Sequence, residues 1–327
     1  MKRIVLVVVF GLLAPVPFQL TSPSSFSAER DYKPFDIGRF LLVSAEGLYV
    51  VESDGRCSWS YNVPPIAGQN AGEFDDLVYD GWALPDGHFL IATHRYVREI
   101  DRAQNAVWEY RVTPPHKVKS CVPLGQGRVA ILHSGEQAIL ELESGGSVAH
   151  RIPLRANGND HTRYNLLRRT PEGTYLVALR AENRFVEVTR DGKVRHSFSV
   201  PSLPVVARRL SDGTTLCSGA FGLKKFDPSG QELWSFTPEM AAPDFPLIIA
   251  TGTIDLPRER LLVVNSDWHY AKAGDNRVQL FVLDANRKVE SILEKSAFNG
   301  WKRSETEPKT GLVEHRCSIV QLLGPKD

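Results

Sequence analysis

Tyr79–Asp101 reads YDGWALPDGHFLIATHRYVREID, and this stretch decides the fold because much of its pattern returns twice further along the chain. A Pro-Asp-Gly turn is followed by an apolar run and then by an alternating segment. Related turns stand at Pro171–Gly173 and Ser211–Gly213, each followed by a similar run. A repeat of roughly 40–47 residues that holds four short strand patterns is typical of a β-propeller blade.

Each repeat divides into four strands, here named A to D in chain order. Strand A ends at a tight turn such as Leu84–Gly87, where Asp-Gly supplies the positive φ that a hairpin needs. Strand B is a continuous apolar run such as Phe89–Ile91, which suits a strand buried on both faces. Strand C alternates, as in Val97–Ile100, and strand D carries aromatic residues such as Trp108.

The two ends of the chain predict how the ring closes. Arg39–Val63 supplies strands B, C and D of one blade, and Ser318–Gly324 has the pattern of its missing strand A. A blade shared between the two ends removes the open sheet edges. The sequence therefore predicts an all-β fold, a six-bladed β-propeller of four-stranded antiparallel blades whose C-terminal strand completes the first blade. A seven-bladed ring is the alternative, because the stretch 265–317 is irregular.

The N-terminus is typical of a secretory signal. Met1–Arg3 is basic, and the apolar run Ile4–Ala14 is too short to span a bilayer. We expect a signal peptide over residues 1–28 and a single β-propeller domain over residues 29–327. The protein is then secreted or periplasmic, with no membrane span after signal cleavage. An uncleaved N-terminal anchor is the alternative.

Charge and composition limit the class of partner. Removal of residues 1–28 takes away Lys2 and Arg3 and no acidic residue, which changes the formal net charge from +1 to −1. A nearly neutral chain without Lys/Arg runs argues against a nucleic-acid partner and against an anionic membrane surface. About 300 residues suffice for one large all-β domain, and we expect a monomer.

The four cysteines have no metal-binding or redox spacing. In the blade alignment Cys57 falls on an outer strand and Cys317 on an inner one. Strands lie about 4.8 Å apart, so these two positions are too distant for a disulfide. We expect mostly buried free thiols.

The repeat pattern also carries a resemblance. Leu84–Ala92 fits L-P-[DE]-G-x-x-L-[IV]-A, and this pattern resembles a family of exported bacterial six-bladed β-propellers over most of residues 35–324. Val264–His269 and Ser318–Leu323 look like that family's last blade and closing strand. More distantly, the blades are similar to quinoprotein repeats and to the propeller of bacterial arylsulfate sulfotransferases. The latter resemblance implies group transfer at a histidine, although no histidine here matches that family's nucleophile by motif.

Candidate site residues collect on one face of the predicted ring. In a propeller the D-to-A and B-to-C connections share the face around the mouth of the central channel. Six of the nine histidines fall in these connections, together with several arginines. The predicted ligand-binding residues are His94, Arg95, His116, His133, His161, Arg163, Arg180, Trp268, His269 and His315.

Three interpretations compete for this face. It is a solvated rim of polar loops, or a funnel for an anionic or sugar-like ligand, or a catalytic site. In a funnel, the anionic groups would be bound by Arg95, Arg163, Arg180, Lys117 and Arg316. The sugar faces would stack on Trp268, Tyr270, Tyr96 and Tyr164. In a catalytic site, the candidates are His161 and His269, because histidine acts as base or nucleophile near neutral pH.

Both catalytic candidates have a plain structural alternative. His161 follows Asn157–Asp160 and precedes a strand A, so it either points at the channel mouth or only packs on a neighbouring blade from an Asx-rich turn. His269 belongs to Asp267–Tyr270, which begins the longest B-to-C connection. That connection either folds over the mouth or places Trp268 in the core of the last blade.

The sequence does not identify a cofactor. No His-x-His or His-x₃-His pair is present, so we predict no metal site. A pyrroloquinoline quinone site is not expected either, because its docking pattern is only partly present and no two cysteines are adjacent.

The sequence predicts an exported propeller that binds a small anionic, aryl or saccharide ligand, or a protein partner, on its His/Arg-lined channel face. The enzyme alternative is a group transferase of arylsulfotransferase type that uses a histidine of this face. A structural interaction platform is the third interpretation.

Overall fold

The structure, a computed structural model, describes residues 32–64, 77–266, 278–294 and 317–324. These residues belong to one compact unit, Asp31–Asp327. The predicted signal peptide, residues 1–28, lies outside the described residues, as do Trp268, His269, Tyr270 and His315.

The described strands form six four-stranded antiparallel sheets, one for each blade of a ring. Blades 1, 2 and 3 contain β1 (Phe40–Ser44), β2 (Gly47–Val51), β3 (Cys57–Asn62), β4 (Val78–Ala83), β5 (Phe89–Thr93), β6 (Tyr96–Ile100), β7 (Ala106–Arg111), β8 (Val118–Gly125), β9 (Arg128–His133), β10 (Ala138–Leu142) and β11 (Val148–Pro153). Blades 4, 5 and 6 contain β12 (Tyr164–Arg169), β13 (Tyr175–Leu179), β14 (Arg184–Val188), β15 (Val194–Ser199), β16 (Pro204–Arg209), β17 (Thr215–Gly219), β18 (Gly222–Phe226), β19 (Glu232–Phe236), β20 (Ile249–Leu256), β21 (Arg260–Ser266), β22 (Val278–Leu283) and β23 (Val289–Glu294).

The last strand, β24 (Cys317–Leu322), completes blade 1. It pairs antiparallel with β1, with Val320 opposite Leu42 and Gln321 opposite Leu41. The predictions of a six-bladed ring and of its closure by the C-terminal strand are therefore confirmed. The alternative ring of seven blades is wrong.

The hairpin between strands A and B is built in two ways. In blade 2 Gly87 has a φ of +86°, and its N–H donates to the carbonyl of Leu84 at 3.0 Å. In blade 6 Arg258 and Glu259 have φ values of +63° and +56° without any glycine. L-residues rarely adopt such angles, so this turn is held by the pairing of β20 with β21.

The core lies between neighbouring blades. All five residues of β5 are buried, as expected for a strand B with blades on both sides. Leu90 and Val97 of blade 2 pack with Val129, Ile131 and Leu140 of blade 3 in one apolar cluster. Each strand B therefore joins two blades through the burial of its apolar side chains.

Two of three buried glutamates on strand C, Glu141 and Glu187, link neighbouring blades as well. Glu99, Glu141 and Glu187 occupy matching positions opposite strand B. Glu141 accepts a hydrogen bond at 2.9 Å from Tyr175 of the next blade, and Glu187 pairs with Arg209 of the blade after its own. A buried carboxylate needs such partners, so the repeated glutamate is a structural feature of the ring.

Cys121 and Cys217 are buried free cysteines, and Cys57 is a partly buried one. Burial raises the pKa of all three thiols above the ordinary value. The prediction of buried free thiols is confirmed for Cys121 and Cys217. The cysteine side chains are therefore packing residues in this part of the chain.

A single short helix, α1 (Pro238–Ala241), connects β19 to β20 in the described residues. Among the residues that the structure describes, no helix has the length and apolar character needed to cross a membrane.

Candidate functional site at the channel mouth

Three blades bring their loops together at one face of the ring. The β5–β6 connection of blade 2 carries His94, and the β7–β8 connection into blade 3 carries His116 and Lys117. The β11–β12 connection into blade 4 carries Asp160 and His161. The sequence predicted this meeting of loops from strand order alone.

His94 is 0% exposed and contacts residues from several of these loops. Its ring stacks on the ring of Tyr79, with centroids 3.8 Å apart. The Nζ atom of Lys117 lies 3.3 Å from its Nδ1, and the Nζ atom of Lys119 lies 3.1 Å from its Nε2. A neutral imidazole has one accepting nitrogen, so the ring accepts a hydrogen bond from one lysine at a time.

Lys119 comes from the inner strand β8 and is 2% exposed. Its Nζ atom also lies 5.3 Å from the ring centroid of Tyr79, within the range of a cation–π contact. Buried lysines are rare in proteins and need specific partners. The inner strand therefore holds the Lys119 side chain beside His94 and Tyr79.

His161 contacts His94 edge-on, with ring centroids 5.7 Å apart and an interplanar angle of 84°. The side chain of Asn159 holds the loop, because its Oδ1 accepts hydrogen bonds from the N–H groups of His161 and Thr162 at 2.9 Å. The predicted Asx-rich turn is thus present, and it directs His161 toward His94. We call His94, Lys117, Lys119 and His161 the mouth cluster.

A histidine–carboxylate pair lies beside the mouth cluster. Nδ1 of His116 is 2.8 Å from Oδ2 of Asp160. Burial opposes ionisation of Asp160, but hydrogen bonds from His116 and Arg163 outweigh it and lower the pKa of this carboxyl. Asp160 is therefore ionised at neutral pH and accepts the Nδ1 proton of His116.

Arg163 holds this loop in place. Its guanidinium donates to the carbonyls of Ser134 and Gly158 at 2.8 and 2.7 Å, and to Asp160 at 2.9 Å. Its Nε donates to the carbonyl of Ala156 at 3.1 Å. Arg163 was predicted to bind ligand. In the structure its N–H groups bind Asp160 and backbone carbonyls of the loops.

His133 lies behind His116, with ring centroids 6.0 Å apart. It is 5% exposed, and its Nδ1 accepts a hydrogen bond at 3.2 Å from the backbone N–H of Glu136. Burial lowers the pKa of His133, so this side chain is neutral near pH 7.

Two of the predicted arginines lie at the edge of this region. Arg95 follows His94 and is half-buried, and its carbonyl accepts from the N–H of Val112 at 2.9 Å. Arg180 begins a 3-10 turn, Arg180–Glu182, and its N–H donates to the carbonyl of Arg163 at 3.0 Å.

Two predicted stacking residues do not line the mouth. Tyr96 is 3% exposed and Tyr164 is 0% exposed. The hydroxyl of Tyr164 donates to the carbonyl of Leu154, so this ring is packed in the core. Their faces are covered by protein, and the predicted stacking of these two rings on a sugar is wrong.

An ion pair joins two inner strands of the ring. The guanidinium of Arg168, on β12, donates to both carboxylate oxygens of Asp80, on β4, at 2.9 and 3.2 Å. Asp80 also accepts from Ser120 Oγ and from the N–H of Cys121. Burial raises the pKa of Asp80, and Arg168 acts against that shift. The pair links blade 2 to blade 4 across blade 3.

A cluster of possible metal ligands lies at the turn face, away from the mouth. Ligand atoms of Asp86, His88 and Glu99 lie within 4.8 Å of one another. His88 Nδ1 is 2.7 Å from Glu99, whose other oxygen accepts from the indole of Trp108 at 2.7 Å. These contacts already use both oxygens of Glu99, so the group is explained as a structural hydrogen-bond network.

No known protein-family profile matches the sequence, and no curated protein matches it significantly. The structural neighbours are β-propeller proteins. A protein of unknown function from Bacteroides caccae has a TM-score of 0.71 and 18% identity, over 86% of this chain and 98% of that chain. A catalytically inactive variant of virginiamycin B lyase from Staphylococcus aureus, with quinupristin, has a TM-score of 0.56 and 14% identity, over 80% and 87%. A streptogramin B lyase has a TM-score of 0.53 and 11% identity, over 79% and 84%.

At these identities the comparisons establish the β-propeller fold alone. The quinoprotein-like and arylsulfotransferase resemblances stay predictions.

The structure adds three residues that sequence reasoning did not select. Tyr79, Lys119 and Asp160 all contact predicted histidines. The sequence could have indicated Lys119, because a lysine inside the mostly buried inner strand Val118–Gly125 is unusual. Asp160 had no such signal, because its partner His116 lies 44 residues away in another loop.

Proposed function

We propose that the channel mouth binds a small organic anion. The observation that carries this proposal is the convergence of Lys117 and Lys119 on the two ring nitrogens of His94, at 3.3 and 3.1 Å. Each ammonium group has three N–H donors, and the ring accepts only one hydrogen bond at a time. Two ammonium groups held close to one ring suit the oxygens of a carboxylate, sulfate or phosphate group.

The site is preorganised for such a ligand. Lys119 is 2% exposed, and its backbone belongs to an inner strand paired with β9. A cation held by the fold loses little conformational entropy when a ligand binds. A charged group in a recess of low dielectric also interacts more strongly with an anion than a surface lysine does.

The described residues favour an anion over a saccharide. Tyr96 and Tyr164, two of the aromatic rings expected to stack on sugar, are buried. Tyr79 is 3% exposed as well, and its ring stacks on His94. A carboxylate-bearing or sulfate-bearing molecule thus fits the described part of the mouth better than a sugar.

Calorimetric titration with succinate, sulfate and benzoate tests the proposal. We expect at least one of these anions to bind the wild-type protein, and Lys117→Ala to weaken binding at least tenfold. Lys193→Ala is the matched control, because it removes the same charge from an exposed turn on the opposite face. No binding of any of the three anions, or equal weakening by both substitutions, would refute it.

The second candidate function is group transfer from an anionic aryl donor through a histidine of the mouth. Its support is the position of His161, whose ring lies 5.7 Å from His94 within the mouth cluster. The test is release of 4-nitrophenol from 4-nitrophenyl sulfate with phenol as acceptor. Turnover that depends on phenol and is lost in His161→Ala supports transfer, and no turnover removes this candidate.

A further inference from the structure

We propose that His116 and Asp160 form a catalytic base dyad that hydrolyses an ester of the anion bound at the mouth cluster. The position of the substrate in this proposal rests on the proposed function. The chemistry is inferred from the geometry of His116 and its neighbours.

The tautomer of His116 follows from its contact with Asp160. A carboxylate accepts hydrogen bonds and donates none, so the 2.8 Å contact requires the proton on Nδ1. Nε2 of the neutral ring then carries the lone pair. His116 is 48% exposed, and no described residue forms a hydrogen bond with its Nε2. This nitrogen is a base that water can reach.

The orientation of the ring is fixed from two sides. Asp160 is itself held by Arg163, whose other donors bind backbone carbonyls. On the other side the ring lies against Gly135, where an added Cβ would be 2.1 Å from Nδ1 of His116. A base whose partner is positioned by a third group is the arrangement that proton-transfer sites use.

The dyad is joined to the mouth cluster through the chain itself. His116 is followed by Lys117, and Asp160 is followed by His161. The first residue of each pair belongs to the dyad, whereas the second contacts His94. Two loops from neighbouring blades therefore each carry one residue of the dyad and, next to it in sequence, one residue of the mouth cluster.

This combination fits ester hydrolysis. Nε2 of His116 takes a proton from water while the water oxygen attacks the acyl carbon, and the carbonyl oxygen becomes an oxyanion. The ammonium group of Lys117, the next residue along the chain, would stabilise that negative charge. The protonated Nε2 then gives its proton to the leaving oxygen as the C–O bond breaks. The products are a carboxylic acid, ionised in water, and an alcohol.

The test compares 4-nitrophenyl hydrogen succinate, an anionic ester, with neutral 4-nitrophenyl acetate. We expect the wild-type protein to cleave the anionic ester faster, and His116→Ala to lower that rate by about 10²–10⁴-fold. His150→Ala is the matched control, because His150 lies on β11 with its Nε2 at 3.0 Å from the carbonyl of Arg190. Asp160 is a positioning residue, and Asp160→Asn should lower the rate and also change the ¹⁵N shifts of the His116 ring.

The outcomes separate the two proposals. Binding of succinate without hydrolysis by the wild-type protein, or an equal rate in His116→Ala, overturns the dyad and leaves the anion site. Hydrolysis that needs His116 but shows no preference for the anionic ester supports the dyad and contradicts the anion site. If the wild-type protein shows neither anion binding nor ester hydrolysis, both proposals are refuted.

Discussion

Arg168, on the inner strand of blade 4, binds both carboxylate oxygens of Asp80, on the inner strand of blade 2. Asp80 is 0% exposed, and the side chain of Arg168 is 12% exposed. The neighbouring inner strand offers a natural comparison. There Arg208, at the matching position, binds Asp255 with two contacts of 2.7 Å, but Asp255 is 56% exposed.

Removal of the arginine should affect these two pairs differently. Arg168→Met should lower the free energy of unfolding by about 3–5 kcal/mol, because it leaves a buried carboxylate without its counter-charge. Arg208→Met should cost less than about 1 kcal/mol, because solvent screens the exposed Asp255. Urea denaturation of both variants measures the difference. Equal costs would show that the buried pair stabilises the fold no more than the exposed pair does.

Gly135→Ala tests the packing of the His116 ring. The new Cβ would lie 2.1 Å from Nδ1 of His116, so the half-exposed ring must move out and lose Asp160. We expect loss of ester hydrolysis with little change in melting temperature. Gly324→Ala is the control, because nothing lies within 4 Å of its added Cβ. Unchanged hydrolysis in Gly135→Ala would contradict the role given to the dyad.

The tautomer of His116 is a separate prediction. In the wild-type protein the ¹⁵N shifts of the neutral ring should be those of the Nδ1–H form, because the Asp160 carboxylate accepts that proton. Asp160→Ala should remove this preference. A neutral ring that carries its proton on Nε2 in the wild-type protein would exclude Nε2 as the base.

His88 makes stability depend on pH. Its hydrogen bond to Glu99 raises the pKa of His88 above the ordinary 6.5, so folding favours the protonated ring. This stabilisation is fully present below pH 6.5 and is lost as the pH rises through the folded-state pKa. The difference in melting temperature between the wild-type protein and His88→Gln should therefore shrink from mildly acidic to mildly alkaline pH. A difference that grows over this range would contradict the ion pair.

Much of the ring could be predicted from the sequence because its signals are local. The turn at Leu84–Gly87, the apolar run of β5 and the alternation of β6 each lie within a few residues. The closing strand was also predictable. The N-terminal segment supplies strands B, C and D of blade 1, and the missing strand A is β24, near the other end of the sequence. These features depend on chain order and strand period, which a sequence displays directly.

The site was less predictable, because it depends on distances between loops of different blades. Loop assignment placed His94, His116 and His161 on one face, but it did not reveal that Lys117 and Lys119 approach His94. The bulge between Val118 and Cys121 in β8 is one physical reason. A bulge changes which side chains face the channel, and strand alternation does not predict it.

The most direct test of the account is a titration of the wild-type protein with succinate, followed by NMR of the histidine rings. If the mouth cluster binds the anion, the ring signals of His94 and His161 should shift most and should saturate. The signals of His150 and His196, which lie on outer strands, should stay in place. Absence of any saturable shift at His94, or shifts of equal size at all four rings, would contradict anion binding at the channel mouth.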